Sequence, residues 1–484
     1  MTAQHPPGLR TLFFTEMWER LSYYGMRGLL VLYMTKSAEA GGLGVPDGTA
    51  AAIYGLYTAA VYLAALPGGW IADRVLGPQR SVWYGGIVIA LGHFTLAIPR
   101  QDTFFLGLAL VALGSGLLKT SMSTLVGTLY PEGGARRDAG FSIFYMGVNL
   151  GAFLGPFVCS YLGEKVDWHL GFAAAGIGMV FGLIQYKLTQ DRLGDAGRSP
   201  HLSAHPGRDR TLLATGLGAL VVIAALLVSG LVTLHPETLA EHTKWVIVGL
   251  AVLWFTWAFT LAQLQPDEKK RMVVIAVLFL SSAMFWAGFE QVGSSLSLFA
   301  DRFTIRRVIG TDWEFPAGWF LMVNAGLIIL LAPVAAMLWV RLAKRGRNPS
   351  LVTKMALGLL LLAAGFGVIA IGAKRALATG QVWPTWLFAT YFLHTVGELC
   401  LSPVGLSAVT KLAPPRLVGQ AMGIWFLGTS LGNLLAGLFA RSVTGENTGT
   451  MDQTFLGVVW VAASAGLLLL LFTRPLGRLC RGVA

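Results

Sequence analysis

Apolar runs broken by short polar turns divide this chain from end to end. They cover residues 11–36, 51–73, 79–98, 103–128, 139–162 and 169–188, then resume at 211–234, 242–264, 271–300, 316–341, 351–372, 383–413, 416–440 and 454–473. A helix needs about 20 apolar residues to cross a bilayer, so the pattern predicts fourteen transmembrane helices with both ends on one side. The first run breaks the pattern. Its sequence, TLFFTEMWERLSYYGMRGLLVLYMTK, places Glu16, Glu19, Arg20, Tyr23, Tyr24 and Arg27 at the offsets of one helical face, with Phe, Leu, Val and Met opposite. A charge at the bilayer centre costs roughly 2.5–3.5 kcal/mol on insertion scales, so four on one stripe need partners or water. The stripe is expected to line a polar cavity inside a helical bundle.

Composition agrees with a polytopic membrane protein. The chain is 484 residues long, 55% hydrophobic and 12% charged, where soluble domains run near 25% charged. The net charge of +12 would fit a nucleic-acid binder, but the basic residues fall in short loops between apolar runs. That is the positive-inside pattern, and nucleic acid is not an expected partner. More than twice as many Lys and Arg fall on the side of the termini as on the other, which makes both ends cytoplasmic. Cys159 and Cys400 lie in apolar runs and Cys480 near the C-terminus, without disulfide or metal-ligand spacing. The first run is too long and too charged for a signal peptide, and it lacks a small-residue cleavage site.

The longest loop, residues 189–210, reads as a cytoplasmic linker bearing a hinge. The two runs after it carry no charge in their interiors, and with Trp245, Trp254 and Trp257 they read as a peripheral pair. Setting them aside leaves six helices and six, the arithmetic of a two-bundle transporter. The expected division is therefore 1–188, a six-helix bundle; 189–210, the linker; 211–268, two additional helices; and 269–484, a second six-helix bundle. The stretch GGWIADRVLGPQR ending at Arg80, between the second and third helices, resembles the loop motif of the major facilitator superfamily.

Lys119, Glu290 and Glu398 add three further charges within spans. Cross-bundle pairs are expected, Lys119 with Glu398 and Arg27 with Glu290. Arg20, Arg27 and Lys119 face Glu16, Glu19, Glu290 and Glu398, leaving one acid over. An acid without a full-time cation in a low-dielectric cavity takes up a proton near neutral pH, the chemistry of a proton-coupled carrier. The mixed signs and the absence of a three-residue Arg repeat exclude a voltage sensor.

The segment Glu16-Met-Trp-Glu19-Arg20-Leu21-Ser-Tyr23-Tyr24-Gly25 resembles the E-x-x-E-R-F-x-Y-Y-G signature of the proton-coupled oligopeptide transporters, with Leu21 for Phe. Phe144-Tyr145-Met-Gly-Val148-Asn149-Leu-Gly151-Ala152 is similar to their second signature, F-Y-x-x-I-N-x-G-A, with Val148 for Ile. The resemblance covers essentially the whole chain, and the extra helix pair matches the bacterial type. It implies an all-α major facilitator fold and import of di- and tripeptides with protons across the cytoplasmic membrane, by a monomer without cofactor. Glu16, Glu19 and Arg20 would form the proton-coupling cluster, with Glu290 as gate and proton-linked acid. Arg27 and Lys119 would meet the peptide carboxyl end or pair with acids across the cavity. Tyr23, Tyr24, Tyr62 and Asn149 would bind the peptide backbone. Glu398 would hold the amino terminus, Asn324 would add a polar contact, and Trp286 and Trp425 would wall side-chain pockets. Phe289 precedes Glu290 where some relatives carry a second acid, so Glu290 would act alone. His394, one turn before Glu398, reads as a packing residue or a modulator of that acid. Glycines at 85, 86, 114, 116, 147, 151, 428 and 432 are read as permitting the close helix contacts that rocking bundles need.

The zwitterion argument stands beside the resemblance, since cations in one half and Glu398 in the other suit the two ends of a peptide. A carrier of nitrate or another small anion would have little use for Glu398. An intramembrane hydrolase is disfavoured, because HExxH and paired Asp in GxGD are missing from the sequence and the one GxSxG, at 428–432, has no histidine near it in the chain. A receptor that senses without transport stays open at this stage.

Overall fold

The computed structural model of this protein describes residues 5–132, 134–200, 205–229, 231, 235–444 and 448–479. Its helices in chain order are α1 (Gly8–Thr35), α2 (Asp47–Ile71), α3 (Pro78–Leu96), α4 (Gln101–Thr128), α5 (Gly134–Lys165), α6 (Trp168–Thr189) and α7 (Pro206–Val228). Then follow α8 (Pro236–Thr260), α9 (Pro266–Phe289), α10 (Ser295–Phe303), α11 (Phe320–Lys344), α12 (Leu351–Thr379), α13 (Thr385–Leu412), α14 (Val418–Thr444), α15 (Met451–Leu471) and the short α16 (Thr473–Leu479). A 3-10 turn, Glu290–Gly293, breaks one expected span into α9 and α10. Counting that span once gives the fourteen long helices read from the apolar runs. Ten of them, among the described residues, are long and apolar enough to cross a membrane by length and composition alone. The charged α1 is outside that set. Strand pairing among the described residues is limited to two isolated bridges, Thr304 with Val382 and Arg307 with Glu314.

Local chemistry sets many of the boundaries. Asp167 caps α6 by accepting from the backbone N–H of His169 and Leu170 at 2.9 and 3.2 Å, and Ser350 caps α12 through Thr353 N–H at 3.2 Å. Gln265 and Glu268 form a reciprocal capping box ahead of Pro266, the first residue of α9. A five-residue π turn, Ala72–Leu76, ends α2, and Gly77 follows at φ 78°, a left-handed conformation that favours glycine.

Contacts group the chain into two units, residues 1–43 with 60–235, and residues 44–59 with 236–484. In the first, α1 packs on α5 and α6, and α3 on α4, around Leu12, Ile89, Leu118, Met122 and Met179. The α1–α5 contact is a comb. A methyl group placed at Gly147 would lie 2.8 Å from the carbonyl oxygen of Phe13, and the same step repeats at Gly151 against Met17 and at Gly155 against Leu21. Glycines four apart on α5 thus meet carbonyls four apart on α1, which lets the backbones approach without lipid between them. Gly85 meets Gly114 across α3 and α4 in the same manner.

In the second unit α12 packs on α13 and α15, and α9 on α14, where Gly428 lies against Phe279 and Gly432 against Trp286. The first turns of α2 belong here. Arg302 donates to both carboxylate oxygens of Asp47 at 2.6 and 2.8 Å, Gly55 rests on Gly437, and Ser430 Oγ donates to Ala59 O at 3.1 Å. The glycines of the second signature and of α14 thus make close helix contacts inside each unit.

The expected peripheral pair divides, α7 going to the first unit and α8 to the second. Trp254 of α8 donates to Gln420 Oε1 at 3.0 Å, while Trp245 is exposed. The linker is less free than its composition suggests. Gln79 Nε2 donates to the carbonyls of Gly194 and Ala196 at 3.0 and 2.8 Å, and Gln79 N–H donates to Gly197 O at 3.0 Å. Tyr186 OH closes the group on Gln79 O at 3.0 Å.

Candidate functional site

Most of the polar face of α1 is buried, Tyr24 being half-buried. Glu16, Glu19, Arg20, Tyr23 and Arg27 are all buried, Glu19 completely. Arg20 Nε lies 3.2 Å from Glu16 Oε1 and pairs also with Glu19 Oε2, so one cation serves two acids. Glu16 Oε2, Glu19 Oε1 and Arg20 Nη2 have no hydrogen-bond partner among the described residues. Unmet buried polar atoms are costly, and three in one cluster mark a site kept for something other than stability. The comb on α5 fixes this cluster from behind, since a methyl at Gly151 would lie 2.8 Å from Arg20 Cβ.

Aromatic rings lie against Arg20, Arg27 and Lys119. Arg20 sits 5.1 Å from the centre of the Tyr23 ring, Arg27 5.7 Å from that of Tyr24, and Lys119 3.8 Å from that of Tyr62. Tyr23 and Tyr24 meet edge to face at 5.2 Å. Asn149 is buried, and its Nδ2 donates back to Tyr145 O at 2.9 Å, one turn earlier on its own helix.

The second unit builds its acids differently. Asn324 on α11 donates from Nδ2 to Glu398 Oε2 and to Thr395 Oγ1 on α13, both at 3.0 Å. Glu398 is buried and Asn324 half-buried, so the amide fixes the carboxylate in one orientation. Glu290 is buried where α9 gives way to its 3-10 turn. Next to it, Gln291 accepts from Ser295 Oγ at 2.9 Å, and Gly293 lies against the hydroxyl of Tyr54. Phe289 stacks on Phe285 at 5.6 Å, with Trp286 at 5.3 Å and His394 at 6.3 Å. Trp425 is buried, with its ring against Gly405.

His394 is a packing residue. It is buried 4.9 Å from the Phe366 ring, bonds the backbone of Leu362, and lies against Gly365. Sequence reasoning missed Thr395 and Gln291. Thr395 lies three residues before Glu398 on the same helical face, a spacing that would have found it. Gln291 is visible only once the 3-10 turn is known.

The POT family profile matches residues 79–454, and the chain belongs to that family, whose members are membrane transporters rather than enzymes. The chain is 42% identical to the peptide transporter YePEPT of Yersinia enterocolitica, with 98% of this chain and 95% of that protein aligned. It is 34% identical to a di-/tripeptide transporter of Lactococcus lactis subsp. cremoris over 98% of this chain and 96% of the relative. Among solved structures it superposes with a TM-score of 0.91 on a glutamate-to-glutamine mutant of the peptide transporter POT in complex with alafosfalin, at 40% identity, covering 100% of this chain and 97% of that one. A POT family transporter in complex with 5-aminolevulinic acid gives 0.89 at 33% identity, covering 98% of each chain. The fold is accordingly that of an all-α, fourteen-helix major facilitator.

Proposed function

We propose that this protein is a proton-coupled symporter that imports di- and tripeptides across the cytoplasmic membrane by alternating access. The observation that carries the reading is the buried cluster on α1, where Glu16 and Glu19 share Arg20. Two buried acids beside Arg20 make a cluster whose net charge changes when either one is protonated. Glu290 is the second proton-linked acid, at the break between α9 and α10. The peptide carboxylate is met by Arg27 and Lys119, the backbone by Tyr23, Tyr24, Tyr62 and Asn149, and the amino terminus by Glu398 with Asn324. Trp286 and Trp425 wall the side chains. Peptide binding competes with the pairs Arg27–Glu290 and Lys119–Glu398, which gate the two halves. We take those halves as 1–188 and 269–484, joined by 189–210 and accompanied by 211–268, with both termini cytoplasmic and the monomer as the working unit. That relatives of this chain are peptide and di-/tripeptide transporters, and that solved relatives hold alafosfalin and 5-aminolevulinic acid, supports a small zwitterionic cargo.

The test is uptake of labelled dialanine into proteoliposomes with and without an inward proton gradient, beside counterflow, which needs no driving force. Wild type accumulates dialanine only with the gradient, and Glu19→Gln keeps counterflow while losing accumulation. Absence of both activities in wild type would sink the peptide reading.

A further inference from the structure

Away from the α1 stripe, the first unit holds a cleft of about 210 Å³ between the π turn that ends α2 and the first turns of α7. Its walls are Trp70, Arg74, His205, Arg208, Asp209 and Leu212. Asp209 is 4% exposed and its Oδ1 lies 4.0 Å from Arg74 Nη1, so the acid holds Arg74 on the wall. Arg208 and His205 are exposed at the rim. Two guanidiniums and an imidazole over one carboxylate make a cationic lining, and guanidinium presents the donor fork that matches phosphate oxygens. Just past the cleft the surface turns apolar. Leu212, Leu220 and Ile223 share a face of α7 and are 50%, 44% and 52% exposed.

We propose that this cleft binds the phosphate headgroup of an anionic phospholipid, with the acyl chains lying along that face of α7. The apolar surface of α7 is what a membrane helix presents to lipid, so an anionic group held by Arg74 and Arg208 at its first turns lies where acyl chains can continue along the helix. Trp70 suits the boundary, where an indole has one wet edge and one apolar face. Basic pockets at the ends of membrane helices recognise such headgroups. The lipid fastens α7 to the end of α2, a place where the two already meet. This inference does not depend on which solute the protein carries.

The test is native mass spectrometry of the full chain in detergent, with dioleoylphosphatidylglycerol and dioleoylphosphatidylcholine at equal concentration. Wild type retains phosphatidylglycerol in preference, and Arg208→Gln lowers that retention roughly tenfold, the loss of one charge-assisted contact. His205→Ala lowers it less, and Arg375→Gln, an exposed cation of the second unit, leaves it unchanged. Both rim side chains are exposed, so neither variant removes core packing, and far-UV circular dichroism checks the fold. Equal retention of the two lipids by wild type, or unchanged retention in Arg208→Gln, overturns the proposal. Displacement of phosphatidylglycerol by millimolar inorganic phosphate also overturns it, since the cleft would then be a free-anion site.

Discussion

Glu398 and Asn324 show how one amide assigns a carboxylate its task. Asn324 donates to one oxygen of Glu398, and glutamine at 398 would keep an acceptor there while removing the charge. Glu398→Gln therefore folds, and its KM for dialanine rises roughly tenfold, as expected for one lost charge-assisted contact. The discriminating measurement is competition by N-acetyl-dialanine, which lacks the ammonium group. Wild type prefers the free dipeptide strongly and the variant does not; equal preference in both would detach Glu398 from the amino terminus. At this scale the sequence was informative where a residue's cost was self-evident. Four charges in an apolar run demand a purpose, and Glu16, Glu19, Arg20 and Arg27 are indeed buried. It was silent where a contact depends on two distant segments. Nothing local announces that Tyr62 will lie 3.8 Å beneath Lys119, or that Tyr54 will press on Gly293.

At the scale of elements, the α1–α5 comb explains why the second signature of the sequence contains glycine. Gly151 faces the carbonyl of Met17 and the β-carbon of Arg20, so a larger side chain forces α5 away from the Glu16–Glu19–Arg20 cluster. Gly151→Leu is expected to cost about 1–3 kcal/mol through overpacking, read as a lower melting temperature in detergent. Gly216→Leu, where open space surrounds the glycine, leaves the melt unchanged. Equal melts for Gly151→Leu and wild type would show that the comb carries no strain. Helix existence and number were legible because apolar length alone decides what can span a bilayer. The break at Glu290 was not legible, because residues 271–300 are apolar on both sides of it. Nor was the fastening of the linker, where nothing sets Gln79 apart from Arg80 and Ser81 beside it and its three partners arrive from 194–197.

For the whole molecule, an even number of spans and the bias of Lys and Arg together predict the sidedness of every loop. In right-side-out vesicles, an introduced cysteine at Thr311 reacts with a membrane-impermeant maleimide, and one at Arg345 reacts only after permeabilisation. The opposite result would reverse the orientation read from Arg341, Lys344, Arg345 and Arg347. The family itself was legible before any fold was known, since two long motifs fell in the first and fifth predicted helices. Assignment of residues 44–59 to the second unit was not, because it rests on the bidentate Asp47–Arg302 pair and the meeting of Gly55 with Gly437.

The ring cluster around Phe289 constrains which side chains that position can hold. Phe289 is 8% exposed among Phe285, Trp286 and His394, so an acid introduced at 289 would enter a box of aromatic faces. Phe289→Glu forfeits the ring's packing, worth about 3–5 kcal/mol, and strips water from a carboxyl group, and thermal unfolding would register the sum. Position 289 thus accepts an acid only in company. A neighbour such as Phe285 would have to shrink or turn polar as well, so an acidic pair at 289 and 290 takes two substitutions arriving together.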